Sequence, residues 1–410
     1  MRQVIVALVL ALTRIAASME VDKTPIASCQ SNDSVSLFEL PARHEYDGTY
    51  LVNPEARGHE PRGKWKGPEY CLSGFCTYGT PLRDIALVTR NSKADNIIAQ
   101  LSQLSELPPS SLTNEQQEDD MFYESDIPGK GIGLIAGRPI RRGEIVMKKR
   151  PSLLVQVEIQ ARTDVHVRDI LYGHAMDRMR DRDRGRVMGM IGSDLGDKID
   201  KNCFRLRIST DENADGGDHH IGCYPDVARL NHDCRPSLVY DINNSVHVIS
   251  AVRDIAAGEE LSISYIRLLS PRAQRLAQLK HWGFECSCGH CNMSDKDAAT
   301  SDAHLRAIVG LEGDLGNFKD MLVMPETGAK LVELYQRERL DLYLSRAYEQ
   351  AAINYAAFGM DNEAKKYARL TLEHLEIEPA SSAADAASMR LLSENPRLHG
   401  AWGVRLKGIN

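Results

Sequence analysis

The sequence predicts an α+β protein with a core of short strands, a helical insert in that core and a helical C-terminal region. Three observations lead to this prediction. Between residues 121 and 270, short β-branched runs alternate with turns, which is typical of a β core. Over about 160–200 the pattern becomes helical, with opposite charges three or four residues apart. Over 300–378 apolar residues recur at helical spacing.

The individual elements follow from these patterns. The predicted strands of the core are Leu134–Ala136, Ile145–Lys148, Leu153–Val157, Leu238–Asp241, Val246–Val252 and Leu261–Tyr265. The predicted C-terminal helices are Lys330–Tyr335, Leu340–Ala357 and Asn362–Glu376. Small and aromatic residues alternate along the last two helices, which is typical of a tetratricopeptide-like helical hairpin. Residues 379–410 are predicted as a tail.

The composition is that of a folded globular protein. The chain has 410 residues, of which 42% are hydrophobic and 26% are charged. This is enough to bury a sizeable core in two or three domains of roughly 100–200 residues each. The formal net charge is −7, so the chain lacks the overall basic field that holds many proteins on nucleic acid. We therefore expect no direct nucleic-acid binding.

The N-terminal part is predicted to be accessory. After Arg2, the apolar run Val4–Leu12 and the small residues at 16–18 predict a secretory signal peptide over residues 1–18, with a buried or disordered N-terminus as the alternative. The run is too short to span a bilayer as a helix, so no membrane span is expected in the mature chain. Residues 19–120 are predicted to be loop-rich, with a short strand at Ile85–Val88 and a helix at Ala94–Leu107.

The N-terminal part also contains a predicted domain boundary and two cysteines whose redox state depends on the compartment. The polar, acidic stretch Pro108–Asp120 is interpreted as a linker and a domain boundary. Cys71 and Cys76 are slightly favoured to form a disulfide if the chain is secreted, and they are free thiols if it stays in the cytosol. Cys203 and Cys223 are expected to be small core residues.

A compact cysteine cluster is the strongest chemical signal. Cys286, Cys288 and Cys291 lie within six residues, a spacing at which three thiolates can converge on one tetrahedral zinc ion. Disulfide pairing across one residue would be strained. The fourth ligand has to come from elsewhere in the chain, and the alternative is that these are surface or disulfide cysteines. His290, inside the cluster, is a competing candidate.

Three further motifs precede the cluster. Gly129–Ala136 (GKGIGLIA) is a Gly-x-Gly turn entering a strand, where missing side chains let backbone groups approach a ligand. Arg229–Ser237 (RLNHDCRPS) places an Asn-His pair and a cysteine before a proline turn. Gly258–Tyr265 (GEELSISY) is a turn and a strand that ends in a tyrosine, and the alternative for Tyr265 is an ordinary strand-end residue.

In this order, the three motifs and the cysteine cluster resemble the SET-domain protein-lysine methyltransferases over about residues 121–293. The likeness is strongest to fungal proteins related to the SET-and-MYND group that lack the MYND finger. The resemblance implies a SET-type β-clip core at 121–270 with a knot-like C-terminal part. It also implies a zinc-pinned post-SET flap at 271–293, ahead of the helical region.

The resemblance implies S-adenosylmethionine as cofactor and a structural zinc ion. The implied cofactor-binding residues are Gly131, Gly133, Asn202, Asn231, His232, Tyr265 and Phe284. Asn231 and His232 would hold the amino and adenine ends, Phe284 would stack on the adenine, and Tyr265 would be the catalytic tyrosine beside the methyl group. The implied zinc ligands are Cys234, Cys286, Cys288 and Cys291, so that Cys234 completes a closed, structural Cys₄ site.

The implied chemistry suits these residue types. Methyl transfer from a sulfonium is an in-line displacement, so alignment of the amine, methyl carbon and sulfur is the main requirement. A lysine amine has to lose its proton first, and an apolar channel favours the neutral form. We expect a protein lysine, with histone as one possibility, as the substrate. The alternatives are a small-molecule amine, as in secondary metabolism, and a SET fold that binds without catalysis.

Two features bear on these expectations. Ser237 stands where the family usually has asparagine, and a hydroxyl replaces only part of an amide's hydrogen bonding. This predicts a rearranged core beside the cofactor. The two indications of the cellular compartment also conflict, because the predicted signal peptide favours secretion whereas the family resemblance favours the nucleus or cytoplasm.

Overall fold

The computed structural model describes residues 65–80, 84–105, 112–113, 118–208, 219–243, 245–377 and 383–406. The predicted signal peptide and Cys29 lie outside the described residues. Among the described residues, no helix has both the length and the apolar character needed to cross a membrane.

A six-stranded sheet joins the N-terminal part to the predicted core. Its strands are β1 (Lys66–Leu72), β2 (Phe75–Gly79), β3 (Ala86–Arg90), β7 (Leu153–Gln156), β8 (Phe204–Arg207) and β9 (His219–Cys223), in the order β1-β2-β3-β7-β9-β8. Helix α1 (Asn91–Ser105) follows β3, so the predicted strand and helix of this part are confirmed. β3 pairs in parallel with β7, Ala86 opposite Leu153.

This pairing corrects the expectation of a loop-rich, accessory extension. The strands before residue 91 share one sheet with the core, and the sheet therefore crosses the boundary predicted at Pro108–Asp120. The physical reason is the run Ala86–Val88, which is fully buried and can satisfy its backbone groups and its apolar side chains only inside a sheet.

Two smaller sheets complete the β core. The first is ordered β10-β13-β5-β4, from β4 (Phe122–Ile127), β5 (Gly131–Ala136), β10 (Asn231–His232) and β13 (Glu260–Ile263). The second is ordered β11-β12-β6, from β6 (Ile145–Lys149), β11 (Leu238–Asn243) and β12 (Val246–Ala251). All six predicted core strands are confirmed as strands. The apolar sides of the two smaller sheets share a core that includes Leu134, Met147 and Leu261.

The insert between β7 and β8 is helical, as predicted. It contains α2 (Glu158–Arg162), α3 (Val165–Met176), α4 (Asp181–Met188) and α5 (Leu195–Asn202). Asp164 and Asp194 cap α3 and α5 by accepting hydrogen bonds from backbone N–H groups. Helix α3 buries Leu171, Tyr172 and Ala175 against the six-stranded sheet. The insert is therefore not only a solvent-exposed surface helix, because one side of it is part of a hydrophobic core.

Two disulfides join neighbouring elements. Cys71 pairs with Cys76 across the β1–β2 turn, in agreement with the slightly favoured prediction. Cys203 pairs with Cys223 and ties the end of α5 to β9. Cys223 lies in the core and Cys203 packs against it, as expected, but the disulfide between them was not predicted. The antiparallel β8–β9 register, with Phe204 opposite Gly222, brings the two cysteines together across 20 residues, which sequence spacing alone does not reveal.

The C-terminal region is a stack of helices. It consists of α6 (Arg272–Leu279), α7 (Asp295–Gly316), α8 (Thr327–Arg337), α9 (Leu344–Ala357), α10 (Asp361–Leu375) and α11 (Ala383–Glu394). The three predicted helices of this region are confirmed. Tyr355 and Tyr367 stack across α9 and α10, with ring centroids 5.5 Å apart, so the aromatic residues form contacts between helices.

Glu338, at the end of α8, connects these helices to the cysteine-bearing segments. Its carboxylate accepts a hydrogen bond of 2.7 Å from His304 and one of 2.5 Å from Ser301, both on α7. It also pairs with Arg235, after β10, at 3.2 Å and with His290 at 3.1 Å. Burial alone would raise the pKa of Glu338, but the hydrogen bonds that its carboxylate accepts lower it to about 2.

We expect Glu338→Gln to reduce stability at neutral pH and to flatten its dependence on acid pH. A carboxyl whose pKa is lowered by folding stabilises the protein above its unfolded pKa, near 4.3, and loses this contribution as the pH falls toward 2. Urea unfolding at pH 5, 4 and 3 measures the effect. Glu333→Gln, an exposed residue on the same helix, should track the wild type. Equal pH slopes for wild type and Glu338→Gln would contradict this account.

Candidate functional site

The sheet β10-β13-β5-β4 brings the three sequence motifs together. β10 pairs in parallel with β13, Asn231 opposite Ser262, and β13 pairs antiparallel with β5, Glu260 opposite Ile135. The Gly-x-Gly turn leads directly into β5. Residues that are 100 positions apart in the chain are therefore neighbours at one end of this sheet.

The two glycines of the turn are required for different reasons. Gly131 has φ of +76°, a left-handed conformation that glycine adopts without strain, and a Cβ added there would meet no atom within 4 Å. A Cβ on Gly133 would lie 2.6 Å from Nδ2 of Asn231 and 2.7 Å from Cγ1 of Ile127. The missing side chain of Gly133 therefore leaves room for the Asn231 amide, while the space beside Gly131 is open to a ligand.

Asn231 is held by groups that the sequence analysis did not select. Its Nδ2 donates a 3.0 Å hydrogen bond to Glu260. Lys130, within the Gly-x-Gly turn, forms a 2.6 Å ion pair with the other oxygen of the same carboxylate. Both residues lie inside motifs that were noticed, but sequence order does not show that the two side chains meet.

His232 connects the site to Tyr265. Its Nδ1 accepts a 3.1 Å hydrogen bond from the backbone N–H of Tyr265, and its Nε2 lies 3.3 Å from Sγ of Cys234. Because Nδ1 is the acceptor, Nε2 carries the proton and donates it toward the sulfur. The imidazole is buried and occupied on both sides, so a contact from His232 to a cofactor would come from its backbone.

Tyr265 lies in an aromatic environment. Its hydroxyl donates a 2.7 Å hydrogen bond to the carbonyl of Leu230. The rings of Trp282 and Phe284 lie with centroids 5.7 and 6.3 Å from its ring. Burial, and then the nearby Glu260 carboxylate, raise the pKa of Tyr265, so the phenol remains protonated at neutral pH. Sequence reasoning selected Phe284 but missed Trp282.

The four selected cysteines meet in one cluster. The sulfur atoms of Cys234, Cys286, Cys288 and Cys291 all lie within 4.8 Å of one another. Hydrogen bonds among the thiols raise the pKa of Cys234 and lower that of Cys291, because closely spaced thiols share protons rather than all ionising. A divalent cation would allow all four to be thiolates. His290 is not in this cluster and binds Glu338 instead.

Ser237, at the position where the family resemblance led us to expect asparagine, is buried and hydrogen-bonded. Its Oγ accepts a 3.0 Å hydrogen bond from the backbone N–H of Ser262, and its own N–H donates to Oγ of Ser262 at 3.3 Å. Both serines are buried. The two serines thus form a reciprocal pair of hydrogen bonds between β13 and the segment before β11. A rearranged core beside the cofactor stays a prediction.

Asn202 is not brought into this hydrogen-bonded network. It ends α5, and its Nδ2 donates 2.8 Å hydrogen bonds to the carbonyls of Ile191 and Lys198. Its amide therefore stabilises the insert. A role for Asn202 at the cofactor stays a prediction.

The comparisons with known proteins agree with this geometry. A family model described as the SET domain matches residues 131–266. The chain contains a SET domain. The match begins at Gly131, includes β10 and β13 and ends just after Tyr265. It therefore contains Gly133, Asn231 and Tyr265, whereas Lys130 and the segment from Trp282 to Cys291 lie outside it.

Several curated proteins to which this chain is similar are named as lysine methyltransferases. The chain is 40% identical over 87 residues to histone-lysine N-methyltransferase SMYD3 of Homo sapiens, covering 21% of this chain and 20% of that protein. It is 36% identical over 101 residues to N-lysine methyltransferase SMYD2 of Homo sapiens, covering 24% and 22%. It is 31% identical over 125 residues to SMYD2-A of Danio rerio, covering 30% and 27%.

These similarities are local. The matches span only about a fifth to a quarter of the length of these relatives. The solved structure of a proposed histone methyltransferase of Plasmodium falciparum aligns with 36% of this chain and 95% of that chain, at 14% identity. Its TM-score of 0.20 is too low to indicate a shared fold.

We expect Gly133→Ala to displace Asn231 and to destabilise the SET domain by about 1–3 kcal/mol, the usual cost of overpacking. The midpoint of thermal or urea unfolding measures this. Gly173→Ala, in helix α3 with open space around its Cβ, is the control and should be neutral or slightly stabilising. An unchanged midpoint for Gly133→Ala would show that the close contact is relieved without cost.

Proposed function

We propose that this protein transfers a methyl group from S-adenosylmethionine to the side-chain amine of a lysine in a protein. The observation that supports this most directly is the convergence of Gly133, Asn231 and Tyr265 at one end of a single sheet. The lysine methyltransferases that share this SET domain support the substrate class.

The residues present fit such a cofactor. The open space beside Gly131 and the half-buried Asn231 amide offer room and polar partners for its amino-acid end. The backbone of His232 and the ring of Phe284 would hold the adenine. The cofactor supplies an electrophilic sulfonium methyl group when bound.

The protein's own groups would then prepare the lysine amine. Trp282 and Phe284 provide an apolar surround for Tyr265, and an apolar surround favours the neutral, nucleophilic amine over ammonium. The protonated hydroxyl of Tyr265 orients the amine, while His232 fixes the backbone of Tyr265. No covalent enzyme nucleophile is required, because the lysine amine itself attacks the methyl carbon, and alignment of the two lowers the barrier.

We expect Tyr265→Phe to lower kcat for methyl transfer roughly 100-fold, because one preorganised polar group at the reacting atoms is lost. Transfer of labelled methyl groups to a panel of lysine peptides, with small amines as a second arm, measures the activity. Tyr123→Phe, at an exposed position on β4, is the matched control and should be unaffected. Wild-type kcat in Tyr265→Phe would contradict a catalytic role, and transfer to small amines alone would replace the protein-lysine substrate.

We further propose a structural zinc ion in the cysteine cluster. A closed set of four thiolates leaves no open position for substrate, and such sites stabilise structure rather than catalyse. The ion would pin the segment 286–291, and with it Phe284, against β10 as a post-SET flap. The helices after residue 300 would form a separate tetratricopeptide-like region attached through Glu338.

We expect one zinc ion per chain, lost or strongly weakened in Cys234→Ser. Loss of one thiolate from a four-thiolate site removes a large part of the binding free energy, which also stabilises the fold. Elemental analysis and zinc-release titration measure this. Ser287→Ala, an exposed neighbour of two ligands, is the control and should keep its zinc. A full zinc content of normal affinity in Cys234→Ser would rule out Cys234 as a ligand.

We also propose that the chain folds in an oxidising compartment, as the leader predicts. The disulfides Cys71–Cys76 and Cys203–Cys223 support this, because such bonds persist mainly outside the cytosol. Mass spectrometry of denatured, unreduced and alkylated protein from its natural source tests the proposal. We expect those four cysteines to escape alkylation and the four clustered ones to react. Alkylation of all eight would contradict it.

A further inference from the structure

The carboxylate of Glu260 lies where the three motifs of the site meet. Glu260 is the first residue of β13, Lys130 belongs to the turn before β5, and Asn231 begins β10. One oxygen of the carboxylate accepts the 3.0 Å hydrogen bond from Asn231, and the other forms the 2.6 Å pair with Lys130. The side chains of Glu260 and Lys130 are only 21% and 17% exposed, so solvent screens this pair less than a surface pair.

This contact determines how the Asn231 amide is turned. A carboxylate only accepts hydrogen bonds, so the amide presents Nδ2 to Glu260 and its Oδ1 faces the other way. An outward Oδ1 is an acceptor for a donor such as an ammonium group. Without the carboxylate, this contact would no longer favour the orientation in which Nδ2 of Asn231 points toward residue 260 over the one in which Oδ1 does. In the flipped orientation the Asn231 NH₂ group, a donor, would face the ammonium group, which is also a donor.

The crowding at Gly133 strengthens the constraint. A Cβ there would lie 3.3 Å from Oε1 of Glu260 as well as 2.6 Å from Nδ2 of Asn231, so the hydrogen-bonded pair lies directly over the glycine. The amide is thus confined between the β5 backbone and the carboxylate. Glu260 is also close enough to Tyr265 for its charge to raise the pKa of the phenol.

We propose that Glu260 is a positioning residue for the α-amino-acid end of the cofactor, acting by orienting the Asn231 amide. This inference rests on the proposed function. Lys130 holds the carboxylate in place and offsets its charge. The adenosine portion of the cofactor makes no use of this arrangement, so the effect of Glu260 is specific to ligands that carry the amino acid.

The neighbouring Glu259 provides a matched control within the same motif. Its carboxylate bonds to Arg253 and to the backbone N–H of Ala256, on the turn before β13. Neither of these two hydrogen bonds of Glu259 involves Asn231. Substitution of Glu259 removes a carboxylate of the same strand end without changing the amide.

The test compares two ligands on the zinc-loaded protein by calorimetry. S-adenosylmethionine carries the amino acid, whereas 5′-methylthioadenosine has the same adenosine on a neutral thioether without it. S-adenosylhomocysteine, a neutral thioether that keeps the amino acid, separates the amino acid from the sulfonium charge and should respond to Glu260→Ala as S-adenosylmethionine does. We expect Glu260→Ala to weaken S-adenosylmethionine at least tenfold, about the cost of losing one charge-assisted hydrogen bond, and to change 5′-methylthioadenosine less than twofold. Glu259→Ala should change neither.

Each other outcome overturns a stated claim. Equal weakening of both ligands in Glu260→Ala would show a merely structural role, and no weakening would show no role. Failure of the folded wild type to bind S-adenosylmethionine would overturn the proposed function as well. If Glu260→Ala does not fold, Glu260→Asp carries the same expectations, because its shorter side chain cannot span the 3.0 Å contact.

Discussion

The parallel pairing of β10 with β13 is the constraint on which the candidate site depends. Parallel neighbours require a long connection, and here the β11–β12 hairpin provides it. Three nearby positions of one short segment then serve three purposes. Asn231 faces the Gly-x-Gly turn, His232 bonds to the backbone of Tyr265, and Cys234 joins the cysteine cluster.

This arrangement links the cysteine cluster to the chemistry at Tyr265. His232 lies between them, with one nitrogen toward Sγ of Cys234 and the other accepting from the Tyr265 backbone. The cysteine cluster also holds the segment that directly follows Phe284, so the position of the Phe284 ring beside Tyr265 depends on the cluster as well. A metal ion bound by these cysteines would therefore be coupled to the residues around Tyr265 through short-range contacts. The C-terminal helices add a third support through Glu338.

Much of this could be predicted because it is encoded locally. The β strands of the core follow from alternation and turn residues, and the cysteine cluster and Gly-x-Gly turn follow from spacing. The contacts that could not be predicted are set by the register between strands that are distant in the sequence. The Cys203–Cys223 disulfide requires the β8–β9 pairing, and the contact of Glu260 with Asn231 requires two sheet registers at once.

Two further differences have the same origin. Residues 66–90 looked accessory because their polar surroundings dominate the sequence pattern, yet the pairing of β3 with β7 makes them part of a core sheet. Ser237 was considered alone in the sequence, whereas in the structure Ser262 supplies the second half of a hydrogen-bonded pair. In both cases the partner lies far away in sequence.

We propose that one site, built on β5, β10 and β13 and secured by the cysteine cluster, holds the cofactor. The decisive measurement is a crystal structure of the zinc-loaded chain with S-adenosylhomocysteine. We expect the amino group on the Asn231 amide, the adenine against Phe284 and a zinc ion among the four cysteines. Nucleoside density elsewhere on the SET domain, or a cysteine cluster closed by disulfides, would contradict it.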